Sequence, residues 1–337
     1  MGGEMIDAVP VVVTEREYIK GRPVFESGRY ASLRFIITSP EESALVHAVS
    51  EHEARHAIVG DVTYRDLLYD SLEAGAVLAR FGIGYDGIDL ERATEHRLIC
   101  TNTPGILFDP VAEFTILLIL SAARRSATLF DNARRGIWAP QLGTELHGKQ
   151  LAIIGCGSIG NRVAQIASRG FGMDVVGCEP GDVDVNALMR QHGYTRIFGS
   201  FEEAVSGSDF VSLHIPNSAE NEGFVSRERL RFMPERSWLI NTARGAVVDE
   251  CALYDALISG WITGAALDVY VNEPYSPIKS GCDLRDLPNV IMTPHAASST
   301  VEGNTRMAEA AVRNVLSADR GDYDSMNIVN PAVLDLL

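Results

Sequence analysis

Residues 150–179 have the sequence QLAIIGCGSIGNRVAQIASRGFGMDVVGCE, and this stretch decides the fold. It joins an apolar strand pattern, the glycine string GCGSIG at 155–160, an amphipathic helical pattern and a second strand pattern that ends in Glu179. A dinucleotide-binding unit needs this order, with an acid about 20 residues past the turn to accept hydrogen bonds from the ribose hydroxyls. The stretch therefore predicts a strand–turn–helix–strand unit that binds a dinucleotide.

The glycines of this turn have separate expected roles. Gly155 makes the tight turn, Gly157 lets backbone amides approach the pyrophosphate, and Gly160 lets the helix pack closely on the strand. The pyrophosphate then lies at the positive end of the helix dipole, which can hold an anion on an acidic protein. Glu179 would repel a 2′-phosphate, so NAD is expected rather than NADP. The expected cofactor contacts at this turn are Gly155, Gly157, Ser158, Ile159, Gly160 and Glu179.

Residues 52–56, HEARH, match the zinc-protease pattern H-E-x-x-H. A capping box at 39–42 predicts the start of a helix, which has run about four turns when the strand pattern AIVG begins at 57. His52 and His56 therefore lie at a helix end and a strand start, where they need not share a face. We expect no metal site here.

Residues 82–87, GIGYDG, form a second literal G-x-G-x-x-G string. It follows a plausible strand, but the next strand ends in ICTNTPG at 99–105, which contains no acid. This string therefore lacks the ribose-binding residue that a dinucleotide site requires.

The composition narrows the class of protein. A chain of 337 residues favours two domains, and a hydrophobic content of 46% favours a globular protein. Asp and Glu outnumber Lys and Arg by 45 to 29, which argues against nucleic acid or an anionic membrane as partner. Five scattered cysteines without a C-x-x-C pair favour a reducing compartment, and we expect a cytoplasmic protein.

Strand patterns alternate with helical patterns along nearly the whole chain, which predicts βαβ units and parallel sheets. Five strands precede a long helix expected at 109–126, six follow it, and a second long helix is expected at 299–317. The expected strands are 9–13, 33–38, 56–60, 76–81, 97–101, 150–155, 173–178, 210–215, 237–242, 262–270 and 289–293. The expected fold class is α/β, with two doubly wound parallel-sheet domains.

Three late segments place polar side chains just after a strand: Arg244 in INTARGAVVDE, Glu273 in AALDVYVNEP and His295 in TPHAASST. Carboxyl ends of neighbouring parallel strands meet at one edge of a sheet, where open α/β folds bind ligands. A guanidinium can bind a substrate carboxylate, and an imidazole can exchange a proton with an oxygen at C2. A carboxylate beside the imidazole favours its protonated form and fixes its tautomer. These residue types suit hydride transfer to or from a 2-oxo or 2-hydroxy acid.

Together, LAIIGCGSIG, LHIPNS, INTARGAVVDE, AALDVYVNEP and TPHAASST resemble the D-isomer-specific 2-hydroxyacid dehydrogenases, a family that includes phosphoglycerate, glyoxylate/hydroxypyruvate and D-lactate dehydrogenases. The resemblance covers nearly the whole chain. It implies a Rossmann NAD-binding domain at 104–298, inserted into a flavodoxin-like substrate domain made of 1–103 and 299–337. It also implies hinge closure around NAD and substrate, and a homodimer packed through the NAD-binding domain.

The resemblance further implies roles for individual residues. Arg244 would bind the substrate carboxylate, His295 would be the acid/base, and Glu273 would support His295. Amides around Ile83 and Gly84 would also hold the substrate, which accounts for the second glycine string. The further implied cofactor contacts are His214 and Pro216 on the adenosine side, Thr242, Ala243, Arg244 and His295 in the cleft, and Asp268 at the nicotinamide carboxamide.

Two departures from the family pattern bear on specificity. Glu179 stands where the family usually has aspartate, and its side chain is one methylene longer. Gly60 and Asp61 follow the third strand where phosphoglycerate-type members tend to have an arginine, and Asp61 would repel a phosphorylated substrate. Two alternatives stay open: an NAD-sensing scaffold like the corepressors of this fold, and an NAD oxidoreductase acting on another small acid such as formate or phosphite.

Overall fold

The computed structural model describes residues 8–337, and within it the chain forms two compact units. The first unit is discontinuous: its first segment ends at Leu107, and its second is Ser299–Leu337. The second unit is the continuous segment Phe108–Ser298.

The first unit contains a five-stranded sheet in the order β2-β1-β3-β4-β5, with every pair of neighbouring strands parallel. Its strands are β1 (Val9–Thr14), β2 (Leu33–Thr38), β3 (His56–Val59), β4 (Val77–Arg80) and β5 (Ile99–Thr101). Its helices are α1 (Glu15–Phe25), α2 (Glu42–His52), α3 (Leu67–Ser71), α4 (Leu90–Glu95) and, from the C-terminal segment, α12 (Val301–Asp319). This strand order is that of flavodoxin-like folds.

The second unit contains a seven-stranded parallel sheet in the order β12-β11-β10-β9-β6-β7-β8. Its strands are β6 (Gln150–Ile154), β7 (Asp174–Cys178), β8 (Arg196–Phe198), β9 (Phe210–Leu213), β10 (Trp238–Asn241), β11 (Gly264–Leu267) and β12 (Val290–Met292). Its helices are α5 (Phe108–Arg124), α6 (Ser126–Arg134), α7 (Ser158–Phe171), α8 (Val185–His192), α9 (Phe201–Val205), α10 (Arg227–Leu230) and α11 (Glu250–Ile258). The order reverses between β6 and β9, as in dinucleotide-binding folds. The predicted fold class is confirmed.

The strands of the second unit are apolar on both faces because helices cover both sides of the sheet. One face packs against α5 and α7, with Ile119, Val163 and Ala167 fully or almost fully buried. The other face packs against α9 and α11, where Leu253 and Ala256 are fully buried. This burial fixes the carboxyl ends of the strands at one edge, where the candidate site lies.

Two local predictions were wrong. The strand β8 was not expected, because three residues at a sheet edge are too few to show an alternation of apolar and polar side chains. The capping box at 39–42 does not form: α2 begins at Glu42, whose carboxylate instead accepts hydrogen bonds from the amides of Arg65, Asp66 and Leu68 at the start of α3.

The prediction that HEARH lies across a helix end and a strand start is confirmed. Helix α2 ends at His52, Glu53 has a left-handed backbone with φ +50°, and β3 begins at His56. The His56 ring is completely buried; its Nδ1 accepts from the Val77 amide at 2.9 Å, and its Nε2 lies 3.2 Å from Asp319. Both ring nitrogens are therefore used within the fold.

Candidate active site and cofactor site

The glycine turn between β6 and α7 leaves an open cradle for a ligand. Gly155 has φ +95°, and a Cβ there would lie 2.7 Å from the carbonyl oxygen of His214. A Cβ on Gly160 would lie 2.2 Å from the Gly155 carbonyl oxygen, whereas a Cβ on Gly157 would meet no atom within 4 Å. Gly155 and Gly160 are thus required by packing, and Gly157 faces open space. Exposed Ser158 and half-buried Ile159 begin the helix.

Glu179 lies directly after β7, and its Oε2 accepts a hydrogen bond from the Cys156 amide at 3.0 Å. The carboxylate therefore lies beside the glycine turn, where it can accept from ribose hydroxyls. The N-cap position of α7, Gly157, has no capping side chain, so amides at the helix start are available to an anion. These features fit a dinucleotide with its pyrophosphate at the helix N-terminus.

The residues after β9 and β10 border the same edge of the sheet. The His214 ring lies 2.9 Å from Ser212 Oγ, and burial lowers its pKa, so it is neutral near pH 7. Pro216 is exposed two residues later. After β10, the Thr242 hydroxyl bonds to that of Thr115 at 2.9 Å, and Ala243 is half-buried.

The structure places Arg244, Glu273 and His295 after β10, β11 and β12, three neighbouring strands of one sheet. The Nδ1 atom of His295 lies 2.6 Å from Oε2 of Glu273. The other oxygen of Glu273 accepts from the Tyr270 amide at 2.9 Å. With Nδ1 engaged by the carboxylate, Nε2 is left to exchange a proton with a ligand.

A buried aspartate shapes the turn that carries His295. Asp268 is completely buried, and its carboxylate accepts from Thr293 Oγ1 at 2.6 Å and from the amides of Ala296 and Ala297 at 2.8 Å. The His295 amide donates to the Asp268 carbonyl at 2.8 Å, and the His295 backbone is left-handed, with φ +51°. Asp268 thus organises the His295 turn, a role that was not predicted for it; its expected contact with the nicotinamide carboxamide stays a prediction.

Asn241, the last residue of β10, fixes the backbone on both sides of Arg244. Its Nδ2 donates to the Arg244 carbonyl at 2.9 Å, and its Oδ1 accepts from the Ala243 amide at 3.0 Å. A Cβ on Gly245 would lie 1.9 Å from the carbonyl carbon of Tyr270, so the segment after Arg244 packs directly on the turn that carries Glu273. The sequence did not predict this role for Asn241; its signal is a polar side chain that is 1% exposed at a strand end.

In the first unit, Ile83 and Gly84 are half-buried in the loop after β4. The loop is held through its carbonyl groups: Asn102 Nδ2 donates to the Ile83 carbonyl at 2.8 Å, and the Thr103 amide donates to the Gly82 carbonyl at 2.9 Å. Gly82 has φ +151° and lies against the Arg80 guanidinium. The expected contact between the amides around Ile83 and Gly84 and the substrate stays a prediction.

Two features of residues 8–337 bear on other classes of function. No group of three or more His, Cys, Asp or Glu side chains in this range is arranged to hold a metal ion. No helix in the described part of the chain is both long and apolar enough to cross a bilayer.

Known proteins resemble this chain in sequence. A family model described as D-isomer specific 2-hydroxyacid dehydrogenase, NAD binding domain, matches residues 116–297. The glyoxylate reductase of Korarchaeum cryptofilum is 34% identical over 305 residues, which cover 88% of each chain. The glyoxylate reductase of Aeropyrum pernix is 36% identical over 308 residues, again 88% of each chain.

Solved structures share the whole architecture. The D-lactate dehydrogenase of Aquifex aeolicus, complexed with NAD and lactic acid, has a TM-score of 0.80 and 28% identity, with 95% of this chain and 99% of that chain covered. The NADPH-dependent glyoxylate/hydroxypyruvate reductase of Sinorhizobium meliloti, in complex with NADP and malonate, has a TM-score of 0.76 and 25% identity, with coverage of 95% and 94%.

Proposed function

Because the chain belongs to the D-isomer specific 2-hydroxyacid dehydrogenase family, we propose that it reduces glyoxylate with NADH, using Arg244, Glu273 and His295. The enzyme is an oxidoreductase that uses a nicotinamide dinucleotide to interconvert 2-oxo acids and D-2-hydroxy acids. The relatives do not favour a dinucleotide-sensing scaffold or action on formate or phosphite.

The observation that carries the catalytic assignment is the 2.6 Å contact between His295 and Glu273. These two residues follow β12 and β11, and Arg244 follows the neighbouring strand β10. When bound, the nicotinamide supplies or accepts the hydride. The Arg244 guanidinium binds the substrate carboxylate through two parallel hydrogen bonds. His295 Nε2 donates a proton to the C2 oxygen during reduction, and Glu273 stabilises the charged ring.

The preference for NAD over NADP is supported by the charge around the ribose-binding acid. Glu179 is followed by Pro180, Gly181 and Asp182, so the segment after β7 carries two acids and no cation. A 2′-phosphate would meet both carboxylates. We expect Glu179→Ser to raise kcat/KM for NADPH relative to that for NADH by at least about ten-fold, since removing one close repulsion is worth roughly 1–2 kcal/mol. An unchanged ratio in cofactor titrations would contradict the role of Glu179.

Glyoxylate is proposed because the relatives described above are glyoxylate reductases and because acids of the first unit pair with the cations of α1. Asp61 forms an exposed ion pair with Arg16 at 3.4 Å, and Lys20 lies 3.7 Å from the buried carboxylate of Glu17. The cations Arg16 and Lys20 are thus engaged by acids of the chain. A substrate with a small uncharged side chain needs neither of them.

The direct test is NADH oxidation with a panel of 2-oxo acids: glyoxylate, hydroxypyruvate, pyruvate, 2-oxobutyrate, 2-oxoglutarate and 3-phosphohydroxypyruvate. We expect the highest kcat/KM with glyoxylate and the lowest with the phosphorylated acid. The product from pyruvate should be D-lactate when it is resolved on a chiral column. Higher kcat/KM with 3-phosphohydroxypyruvate than with glyoxylate would overturn the substrate assignment.

A homodimer is proposed from the surface of the second unit. Helix α6 buries none of its residues and exposes Phe130 by 66%, and the segment after it exposes Trp138 by 96% and Leu142 by 93%. Large apolar side chains exposed together on one segment mark protein–protein contacts, and a second copy of the chain is the commonest partner. Light scattering should give the mass of a dimer for the wild type and a lower mass for Trp138→Ser/Leu142→Ser. A monomeric wild type would contradict the proposal.

A cytoplasmic location stays a prediction. All five cysteines are free thiols, which is compatible with a reducing compartment.

A further inference from the structure

A second carboxylate lies behind the turn that carries Glu273. Glu250 is the first residue of α11 and is only 5% exposed, and its Oε1 accepts a hydrogen bond from the Val271 amide at 2.7 Å. The adjoining amide, that of Tyr270, donates to Glu273 at 2.9 Å. Glu250 and Glu273 therefore bind two successive amides of one turn. Of these two acids, Glu273 is the one in contact with His295.

The start of the turn is held by hydrogen bonds and packing of Tyr270. The Tyr270 hydroxyl donates toward the carbonyl oxygens of Leu267 and Thr293 at 2.9 and 3.0 Å and accepts from the Thr293 amide at 3.1 Å. The Tyr270 backbone also lies against Gly245. Glu250 supplies the anchor on the remaining side, at the residue two positions before Glu273.

The surroundings of Glu250 disfavour a charged carboxylate. Burial raises its pKa, the hydrogen bond from Val271 opposes that rise, and the charge of Glu273 adds to it. The titratable groups that interact with Glu250 are Glu273, Tyr270 and Tyr275. The helix N-terminus offsets part of the cost, because its amides favour a carboxylate. The Val271 amide is thus bound by a side chain whose charge is disfavoured there, so its acceptor oxygen rather than its charge is the feature that serves the turn.

We propose that Glu250 is a positioning residue: through the Val271 amide it holds the 270–273 turn so that Glu273 Oε2 stays in contact with His295 Nδ1. This inference rests on the proposed function, because it acts through the Glu273–His295 pair. The segment 244–250 then contributes twice to the site. Arg244, its first residue, binds the substrate, and Glu250, its last residue, holds the neighbouring turn.

The test compares Glu250→Gln with Glu250→Asp. Glutamine keeps the length and an oxygen acceptor but loses the charge, whereas aspartate keeps the charge but is one methylene too short to reach the Val271 amide. We expect kcat of Glu250→Gln within about two-fold of wild type. We expect Glu250→Asp to lose about ten-fold in kcat, a fraction of the roughly 10²–10⁴-fold that acid–base catalysis supplies. The KM for NADH should not change in either variant.

The pH profile separates positioning from a general loss of structure. In Glu273→Gln the fall in kcat for reduction at high pH should occur at lower pH than in wild type, because the imidazole has lost its carboxylate partner. Glu250→Asp should move the fall in the same direction, and Glu250→Gln should not. Asp255→Ala is the matched control, since Asp255 is an exposed acid on the same helix paired with Arg227.

Several results would overturn the inference. One is a wild-type kcat and pH profile in Glu250→Asp, and another is a larger loss in Glu250→Gln than in Glu250→Asp. A third is a lower melting temperature in Glu250→Asp with no change in the pH profile. If Glu273→Gln itself leaves the profile unchanged, the proposed catalytic pair fails instead.

Discussion

His295 is held at its ring and at its backbone by two different acids. Glu273 contacts the ring nitrogen at 2.6 Å, and Asp268 binds the backbone amides that follow the histidine. The ring orientation is therefore set before a substrate binds, so little reorganisation is needed during proton transfer. At the residue scale the site is a proton donor whose position is fixed by its surroundings.

The role of Arg244 can be tested without removing its charge. A guanidinium binds a carboxylate with two parallel hydrogen bonds, and an ammonium cannot reproduce that geometry. We expect Arg244→Lys to lower kcat/KM for 2-oxo acids by about 10–100-fold, because a hydrogen bond to a charged group is worth roughly 1.5–3 kcal/mol. The KM for NADH should stay within about two-fold.

Steady-state kinetics with Arg236→Lys provide the control, since Arg236 is a surface arginine paired with Asp209 at 2.9 Å. Equal kcat/KM for wild type and Arg244→Lys would show that the guanidinium does not bind the reacting carboxylate.

The catalytic residues could be predicted from sequence, but the interactions that hold them could not. Arg244, Glu273 and His295 each follow an apolar strand, and parallel strands bring their carboxyl ends together. The left-handed backbone of His295 and the use of both Asp268 oxygens depend on how two turns meet, 25 to 29 residues apart. The spacing of apolar residues along the sequence predicts helices and strands, but it does not predict a contact between two distant turns.

At the scale of elements, the site depends on the close contact between the segment after β10 and the turn after β11. A Cβ on Gly245 would overlap the Tyr270 carbonyl group, at 1.9 Å from its carbon. We expect Gly245→Ala to displace the turn that carries Glu273, with a loss of about 1–3 kcal/mol in the free energy of unfolding and at least ten-fold in kcat. Chemical denaturation and steady-state kinetics measure the two effects.

Gly170→Ala is the matched control for this change. Gly170 is exposed near the end of α7, and a Cβ there would meet no atom within 4 Å. Alanine should raise the free energy of unfolding by roughly 0.5–1 kcal/mol, because it loses less backbone entropy in a helix. If Gly245→Ala behaved like this control, the packing of the two segments would not be essential.

Elements with a strong pattern were predicted and weak ones were not. The long helices α5 and α12 begin within two residues of their predicted starts, because a sustained apolar face marks them. The three-residue edge strand β8 gave no signal. The start of α2 was misplaced because Glu42 bonds to the amides of a helix that is distant in sequence.

At the scale of the whole molecule, buried histidines make stability depend on pH. Protonation of His56 would place a hydrogen on Nδ1, which faces the Val77 amide, and burial lowers the pKa of His56 despite the attraction of Asp319. Because the folded-state pKa is lower than the unfolded value of about 6.5, the unfolded chain binds more protons below that pH. Stability is therefore complete above about pH 6.5 and is lost as the pH falls below it.

For each of the two buried histidines, we expect the free energy of unfolding to fall by on the order of 1 kcal/mol per pH unit below pH 6.5, the slope of one proton taken up on unfolding. In His56→Gln the slope should be smaller, although not zero, because burial also lowers the pKa of His214 in the other unit. Denaturation curves between pH 7.5 and 5.5 measure both slopes. Identical slopes for the two proteins would assign the effect to groups other than His56.

The most direct test of the central claim is glyoxylate reduction by His295→Gln, followed through the loss of NADH absorbance. We expect kcat to fall by roughly 10²–10⁴-fold, the usual contribution of a positioned acid, while the Kd for NADH, measured by fluorescence, is unchanged. Wild-type kcat in this variant would contradict the assignment of His295 as the proton donor.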